Sequence, residues 1–489
     1  MSPKNSEAKA RIAASHPFLL IHEAARLTPD ALGLVVDAKS YSFAETSVAI
    51  LSMADYLRSR GISRGDLVAV DLPMDFDVIA KHALFLLGAQ SCSLFGFLKV
   101  PKGLEPDWLI TAPGKHPASN NTLILEPGAI SLDPNLKLSD FDIGFIRSDR
   151  PALLIYTSGT TGSSKAVVMT DSQLAGRVHA YQEVVSQDGL SVGLIYNSGV
   201  GLFIQLEQLS RGKPIVFASN RLDAIQAVLF KLEPTGYVAS PTQLIMLLND
   251  PEISAHLSEV QEYFVTGSVV SQPQLSRLRS ASPNARVVST FGSNETGLVT
   301  FSELDPSVST YFVGSAVMGA EIEIVDEQGE AVADGEVGTV RTKTDYMASQ
   351  YHNDIYETAK SFRGGWFYPG DMGYLDEEGG LHLAGRAGDI INAGGVKINP
   401  HEVEQRVLSL DGISDCAGVE VLGPSGVSAF GLAVVGEGKI DLVRLENLLK
   451  SYFPFGYPTV FQQLSKLPRN QNGKTDKSAL KSMMQLSQE

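Results

Sequence analysis

From Pro17 to Ser289 the chain alternates amphipathic helical stretches with short apolar runs, and that alternation leaves few folds open. Pro17 to Leu27, Phe43 to Arg60 and Phe76 to Gly88 read as helices, with a buried strand at Leu67-Val68-Ala69-Val70. Further on come strand Ile215 to Ala218, helix 221–232, strand Gly236 to Ala239 and a helix from Thr242 to Asn249. Strands Tyr263 to Thr266 and Arg286 to Ser289 follow. Strands that alternate with helices predict a largely parallel sheet with helices on both faces. From about residue 310 the texture changes to strands separated by turns (Glu321 to Asp326, Gly338 to Thr344, Leu381 to Ala384), which predicts a small β subdomain. Beyond Gly385-Arg386 come a helix at 401–409, an apolar run from Ala429 to Val435 and a helix at 440–453, a unit of roughly one hundred residues and so of domain size. The predicted fold class is α/β: an N-terminal domain over 1–386 with mostly parallel sheets, and a small α+β domain over 387–489.

Composition narrows the partners. A chain of 489 residues with 44% hydrophobic and 19% charged residues reads as an ordinary globular protein with a large core. Its net charge of −16 argues against a nucleic-acid surface or a polybasic membrane patch. The same charge is no obstacle to a phosphate ligand, because distant charges are screened beyond about 8 Å at physiological salt. Cys92 and Cys416 lie far apart in apolar surroundings and read as buried thiols, which fits a reducing compartment. No Cys/His cluster suggests zinc. The segment with Lys4, Glu7, Lys9 and Arg11 has no apolar h-region, so no secretory signal is expected there. The uncharged stretch from Ala83 to Leu98 is short for a spanning helix and carries Gln, Ser and Gly. A cytoplasmic protein, monomer or homodimer, is the expectation.

Three loops fall at the carboxyl ends of predicted strands, where open α/β sheets bind ligands. The first follows Ala152-Leu153-Leu154-Ile155 and reads Tyr156-Thr157-Ser158-Gly159-Thr160-Thr161-Gly162-Ser163-Ser164-Lys165. Glycines let the backbone take positive φ and approach a ligand closely. The exposed N–H groups of such a turn make an anion nest, to which hydroxyls and Lys165 add donors and charge. It is not a Walker loop, which needs two glycines five positions apart followed by Lys and Ser/Thr. Gly473-Lys474-Thr475 fails that pattern too, since Pro468 stands at the first glycine. Alone, the stretch reads equally as a solvated turn.

Three more segments settle that ambiguity: Thr290-Phe291-Gly292-Ser293-Asn294-Glu295-Thr296; Tyr368-Pro369-Gly370-Asp371-Met372-Gly373-Tyr374 with Gly385-Arg386 and Gly394-Gly395; and Pro468-Arg469-Asn470-Gln471-Asn472-Gly473-Lys474. In this order the four resemble the adenylate-forming superfamily of acyl-CoA synthetases, peptide-synthetase adenylation domains and firefly luciferase, over nearly the whole chain. The resemblance implies activation of a carboxylic acid by ATP with release of pyrophosphate, then capture of the acyl-adenylate by a thiol. It also implies that the C-terminal domain is a mobile lid, hinged at Gly388, that rotates between the half-reactions. Two anions must meet in the first step, so positive charge and positioning carry most of the catalysis.

The roles that the resemblance implies are as follows. Lys474 is the central cation between carboxylate and α-phosphate, with Glu295 and Thr160 as further catalytic groups. Glu295 is the ligand, direct or through water, of a Mg²⁺ on the phosphates, an ion that typically takes one or two carboxylates. Thr157, Ser158, Gly159, Thr160, Thr161, Gly162 and Lys165 hold phosphates. Phe291 stacks on adenine opposite Gly267-Ser268-Val269, and Gly292, Ser293 and Asn294 line the same site. Asp371 accepts the ribose hydroxyls, with Arg386 beside it. Tyr196, Asn197 and Gly199, with Gly292 and Ser293, line the acid pocket. Gly394, Gly395, Val396 and Lys397 line the thiol tunnel, in wording closer to acyl-CoA ligases than to peptide-synthetase domains.

Several positions depart from the family pattern. Ser164 and Ala166 stand where Pro and Gly are usual, and a positive φ at Ala166 would cost about 1 kcal/mol. Asn294 replaces the usual Thr before Glu295, turning a hydroxyl contact to phosphate or substrate into an amide. Gly388 occupies a hinge position where Asp or Lys is common, and Asn197 stands where relatives have His. Amino-acid-activating relatives place an Asp near here to pair the substrate ammonium, yet residues 191–205 hold no Asp. An unpaired buried ammonium is costly, so an uncharged acyl or aryl acid is expected, with Gly199 and Gly201 leaving room for a sizeable tail. An AMP-forming acid–CoA ligase is the leading reading. The alternatives are a ligase that loads an acyl or peptidyl carrier protein and a non-catalytic ATP-binding regulator.

Overall fold

The computed structural model describes residues 16–97, 99–117, 121–126, 128–146, 149–157, 165–185, 189–196, 198–267, 270, 272–305, 311–393, 396–422, 428–436, 438–454, 456–469 and 475–486. Two sheets dominate. In the smaller, six-stranded sheet, five parallel strands end on Pro151–Thr157 (β1), which pairs antiparallel with Lys165–Thr170 (β2). Among the described residues the larger sheet has fifteen strands. Its parallel centre includes Ser191–Gly193, Gly236–Ala239, Glu262–Val265 and Arg286–Ser293 (β3). The antiparallel partner of β3, Gly297–Glu303 (β4), leads into the strands expected as a small β subdomain, among them Asp371–Leu375 (β5) and Leu381–Arg386 (β6). That subdomain is hydrogen-bonded into the main sheet.

The helices form where apolar periodicity and caps agree. Phe43–Ser59 opens with a capping box, in which Ser42 Oγ accepts from Glu45 N and Glu45 Oε2 accepts from Ser42 N. Met74–Leu87 begins directly after Pro73 and ends on Gly88 at φ +72°, a left-handed cap that suits glycine. The largest apolar core joins side chains of both sheets, Val68, Val70 and Ile110 from one and Leu34, Phe217 and Val288 from the other, through Ile79, Ala83 and Leu84. Burial of such residues stabilises the molecule by about 25 cal/mol per Å² of apolar surface.

Past Arg386 the chain builds its own small sheets. Ile391–Ala393 pairs with Val396–Ile398, and Ile413–Leu422, Ser428–Gly436 and Val460–Gln463 form a three-stranded sheet. The apolar run from Ala429 is thus a strand. Helix Pro400–Leu408 packs Val403 and Val407 onto that sheet, with Leu445 and Leu449 contributing to the same core. Both cysteines are buried and free. Among the described residues, no helix is long and apolar enough to cross a membrane.

Candidate active site

Strand β1 delivers the first loop. Thr157 pairs with Lys165 and Tyr156 with Ala166, so both ends of the 158–164 stretch are anchored in one hairpin. Ser158, Gly159, Thr160, Thr161 and Gly162 lie outside the described residues. Ala166 is an extended strand residue, absent from the positive-φ positions, and its carbonyl accepts from His352 N at 2.8 Å. The strain anticipated for its Cβ does not arise. Lys165, with 16% of its side chain exposed, pairs with the Glu357 carboxylate, and its ammonium lies 5.1 Å from the centre of the Tyr351 ring.

The Phe291 segment is a strand rather than a loop. β3 continues through Ser293, with a bulge between Phe291 and Gly292 where β4 closes on it. A Cβ on Gly292 would overlap the Gly297 carbonyl, so the close approach requires glycine. Ser293 Oγ then accepts from the backbone N–H of both Glu295 and Thr296 at 3.2 Å and fixes the turn. Phe291 is half-buried against Val313, Ile324, Val340 and Leu381. Gly267, just past Glu262–Val265, has φ +93°, and Ser268 and Val269 lie outside the described residues.

Arg177 holds this turn from below, a role that no motif announced. Fully buried on helix Asp171–Tyr181, it donates to the carbonyls of Asn294 (2.7 Å), Glu295 (2.8 Å) and Tyr346 (3.1 Å). Burial lowers its pKa to about 10, which leaves it charged at neutral pH. Glu295 is buried, and its Oε1 accepts from Tyr351 Oη at 2.7 Å. Burial, reinforced by Glu295, pushes the Tyr351 hydroxyl far above its ordinary pKa and keeps it a donor. Among the described residues, Glu295 Oε2 accepts no hydrogen bond, so the carboxylate keeps an oxygen for a hard cation. No cluster of three or more metal-ligating side chains occurs among the described residues, so phosphate oxygens and water would have to complete the shell of a Mg²⁺ there.

Asn294 joins neighbouring segments. Its Oδ1 accepts from Gly199 N at 3.2 Å and its Nδ2 donates to the Tyr156 carbonyl at 3.3 Å. The amide braces three segments. Gly199 opens helix Gly199–Ser210, capped by Ser198 Oγ on Gly201 N at 3.1 Å. The space above these glycines is filled by protein: a Cβ on Gly201 would overlap the Ile195 carbonyl, and one on Gly199 would come 2.8 Å from Asn294 Oδ1. Tyr196 is also turned inward, donating its hydroxyl to Asp77, which Lys81 meets at 3.5 Å. Asn197 lies outside the described residues.

Asp371 and Arg386 face one another in register on β5 and β6, with Arg386 Nε on Asp371 Oδ1 at 2.8 Å and Nη2 on the Pro369 carbonyl at 3.0 Å. Gly388 has no atom within 4 Å of where a Cβ would sit, so neither space nor a left-handed φ demands glycine there. Val396 and Lys397 are exposed on their short strand, while Gly394, Gly395 and Lys474 lie outside the described residues. Arg469 and Thr475, which flank 470–474, pair as an antiparallel bridge. Beyond Arg386, Asn399 Nδ2 donates to the Ala384 carbonyl at 2.5 Å and His401 meets the Tyr311 ring edge-on at 4.3 Å. The structure therefore gathers the base of the 158–164 hairpin, the Asn294–Glu295 turn, Tyr351 and Gly199 into one place.

Residues 112–352 match the model of the AMP-binding enzyme family. The chain is 28% identical over 488 residues to a 2-succinylbenzoate–CoA ligase of Bacillus subtilis, covering 94% of this chain and 96% of that one. It is 27% identical over 352 residues to a sulfoacetate–CoA ligase of Cupriavidus necator, covering 68% and 67%. The fold is similar to the solved structure of O-succinylbenzoate coenzyme A synthetase from Bacillus subtilis in complex with AMP, with a TM-score of 0.75 at 23% identity over 94% of this chain and 98% of that one. The ordered motifs and the family match across the strand–loop and Glu295 segments lead to one assignment: residues 112–352 belong to the AMP-binding enzyme family.

Proposed function

We propose that this enzyme joins a carboxylic acid to the thiol of CoA in two steps, through an acyl-adenylate. In the first, the carboxylate attacks the α-phosphorus of ATP, the bond to the β-phosphate bridging oxygen breaks, and pyrophosphate leaves. In the second, the CoA sulfur attacks the acyl carbon and AMP leaves. The observation that carries this reading is the grouping around Tyr351: its hydroxyl holds the Glu295 carboxylate while its ring faces the Lys165 ammonium, at the mouth of the 158–164 loop. A carboxylate and an ammonium beside a glycine-rich turn form an arrangement suited to a metal-bound polyphosphate. The names of the relatives, both CoA ligases, support the same activity.

In this reading Lys165 and the loop hold the phosphates, Asp371 and Arg386 take the ribose, and Phe291 takes the adenine. Glu295 would hold Mg²⁺, which when bound neutralises phosphate charge. Residues 387–489 act as the lid, pivoting at Gly388 to bring Lys474 over the acid and later Gly394 to Lys397 against the thiol arm. The acid carries an uncharged acyl or aryl tail, since residues 191–205 offer neither Asp nor Glu to receive an ammonium.

Pyrophosphate release with Mg·ATP, measured across a panel of carboxylic acids with and without CoA, tests this. Acid-dependent release with a CoA thioester in the mass spectrum is the expected result. Release that CoA does not discharge would move the acceptor to a carrier protein. Tight ATP binding with no release for any acid would turn the reading toward a regulatory protein.

A further inference from the structure

Lys165 closes the 158–164 loop, yet its ammonium is engaged by a carboxylate from a remote helix. Glu357 sits in the first turn of helix Ile355–Ser361, whose start is fixed by Asp354 Oδ1 accepting from Glu357 N at 2.9 Å. One oxygen of Glu357 pairs with Lys165, and the other lies 3.7 Å from Lys360 Nζ. The Lys165–Glu357 pair is largely shielded, with 16% and 21% of the two side chains exposed, whereas Lys360 is 65% exposed. The pair's attraction also holds the Glu357 carboxylate below its ordinary pKa, so it stays ionised at neutral pH.

We infer that Glu357 is an exchange partner for Lys165: it competes with nucleotide phosphates for the ammonium, and Lys360 retains the carboxylate once Lys165 moves to a phosphate. The inference rests on the proposed ATP-dependent reading and adds to it a residue that sets nucleotide affinity. Three features support it. An ammonium has three donors but only one charge to share, so a carboxylate beside a polyphosphate is a competitor as well as an anchor. Lys165 is tethered by its strand register opposite Thr157, so only its side chain need move. The second lysine leaves Glu357 paired after the exchange, which removes the cost of stranding a carboxylate.

The test is the dissociation constant of Mg·ATP, by equilibrium dialysis, for the full-length chain and the variants Glu357→Gln, Glu357→Asp, Lys165→Ala and the double variant Lys165→Ala/Glu357→Gln. Glu357→Gln is expected to bind three- to tenfold more tightly than wild type, and Glu357→Asp, whose shorter arm loosens the pair, by a smaller factor. Lys165→Ala is expected to bind at least tenfold more weakly, and the double variant to bind like Lys165→Ala alone. Loss of a merely structural contact cannot tighten binding. Equal or weaker binding by Glu357→Gln overturns the inference, as does tightening that survives in the Lys165→Ala background, which would mean direct repulsion of phosphate without exchange. Wild-type and Lys165→Ala proteins that bind equally well overturn it while leaving the ATP reading intact; a wild type that binds no Mg·ATP overturns both.

Discussion

Asn294 Nδ2 donates to the carbonyl of Tyr156 at 3.3 Å, which ties the strand opening the 158–164 loop to the turn carrying Glu295. The same side chain receives Gly199 N at 3.2 Å. One amide therefore keeps the loop, the carboxylate and a helix start in register. Asn294→Ala should lose about 1–2 kcal/mol of stability, the worth of two hydrogen bonds whose partners are left half-buried. It should also slow acid-dependent pyrophosphate release at least tenfold, because misplacement of the reacting groups by about 1 Å has that scale of effect. Wild-type turnover in Asn294→Ala would show that the brace is dispensable.

Arg177 carries three main-chain carbonyls from a position with no exposure. Arg177→Met keeps much of the volume but strands those acceptors, so unfolding free energy should fall by about 3 kcal/mol or more. Arg177→Lys should recover only part of it, since an ammonium cannot reproduce the planar fork. Denaturant titration of both variants decides this. Equal midpoints for Met and Lys would mean that charge and fork geometry do not matter there.

Glycines in this site divide into two kinds. A Cβ at Gly201 overlaps the Ile195 carbonyl, whereas a Cβ at Gly388 meets nothing within 4 Å. Gly201→Ala should destabilise by about 1–3 kcal/mol, the usual cost of overpacking. Gly388→Ala should be neutral or gain about 0.4–1 kcal/mol, because it only narrows the unfolded ensemble. Thermal unfolding of the pair checks this, and a large loss in Gly388→Ala would reveal a contact that the structure lacks.

Two histidines near the N-terminal helices make stability depend on acid. His22 donates to or accepts from Ser47 Oγ at 2.8 Å, and His82 Nδ1 meets the Val78 carbonyl at 2.9 Å. Burial lowers their pKa values to about 4 and about 3. The unfolded chain therefore binds protons that the folded one refuses, from about pH 6.5 downward, and the stability these groups provide is lost as pH falls through that window. Buried Glu207 and Glu404, both raised to about 7, work the other way: their protonation favours the folded state as pH falls from about 7 toward 4.5. Comparing wild type with His82→Gln isolates the histidine. Between pH 7 and pH 4.5 the wild type should lose about 2 kcal/mol more than the variant, read from urea midpoints; parallel pH profiles would exclude the effect.

Elements with a clear apolar period were legible, and so was the family to which the motifs of residues 112–352 point. The strands Leu67–Asp71 and Gly236–Ala239 and the helix Phe43–Ser59 lie where the period of two or of three to four residues puts them. What escaped was anything whose partner is remote in sequence. Asp77 and Lys81 look like the wet face of a helix, but Asp77 is buried because Tyr196 reaches it across 119 residues. Arg177 and Tyr351 have no local signature, since their roles arise from carbonyls and a carboxylate that only the tertiary fold supplies. Phe291 to Ser293 looked like a loop because glycine and serine usually mark turns; a tight β4 partner made it strand instead.

The sealed glycines bear on how this enzyme could be redesigned. The walls above Gly201 and Gly292 are the main-chain oxygens of Ile195 and Gly297, and no side-chain substitution removes a main-chain oxygen. Redesign of these segments therefore cannot begin with those two positions. Side chains nearby are constrained as well: Phe203, on the helix of Gly201, belongs to the apolar core, so trimming it would open a cavity at a cost of about 3–5 kcal/mol.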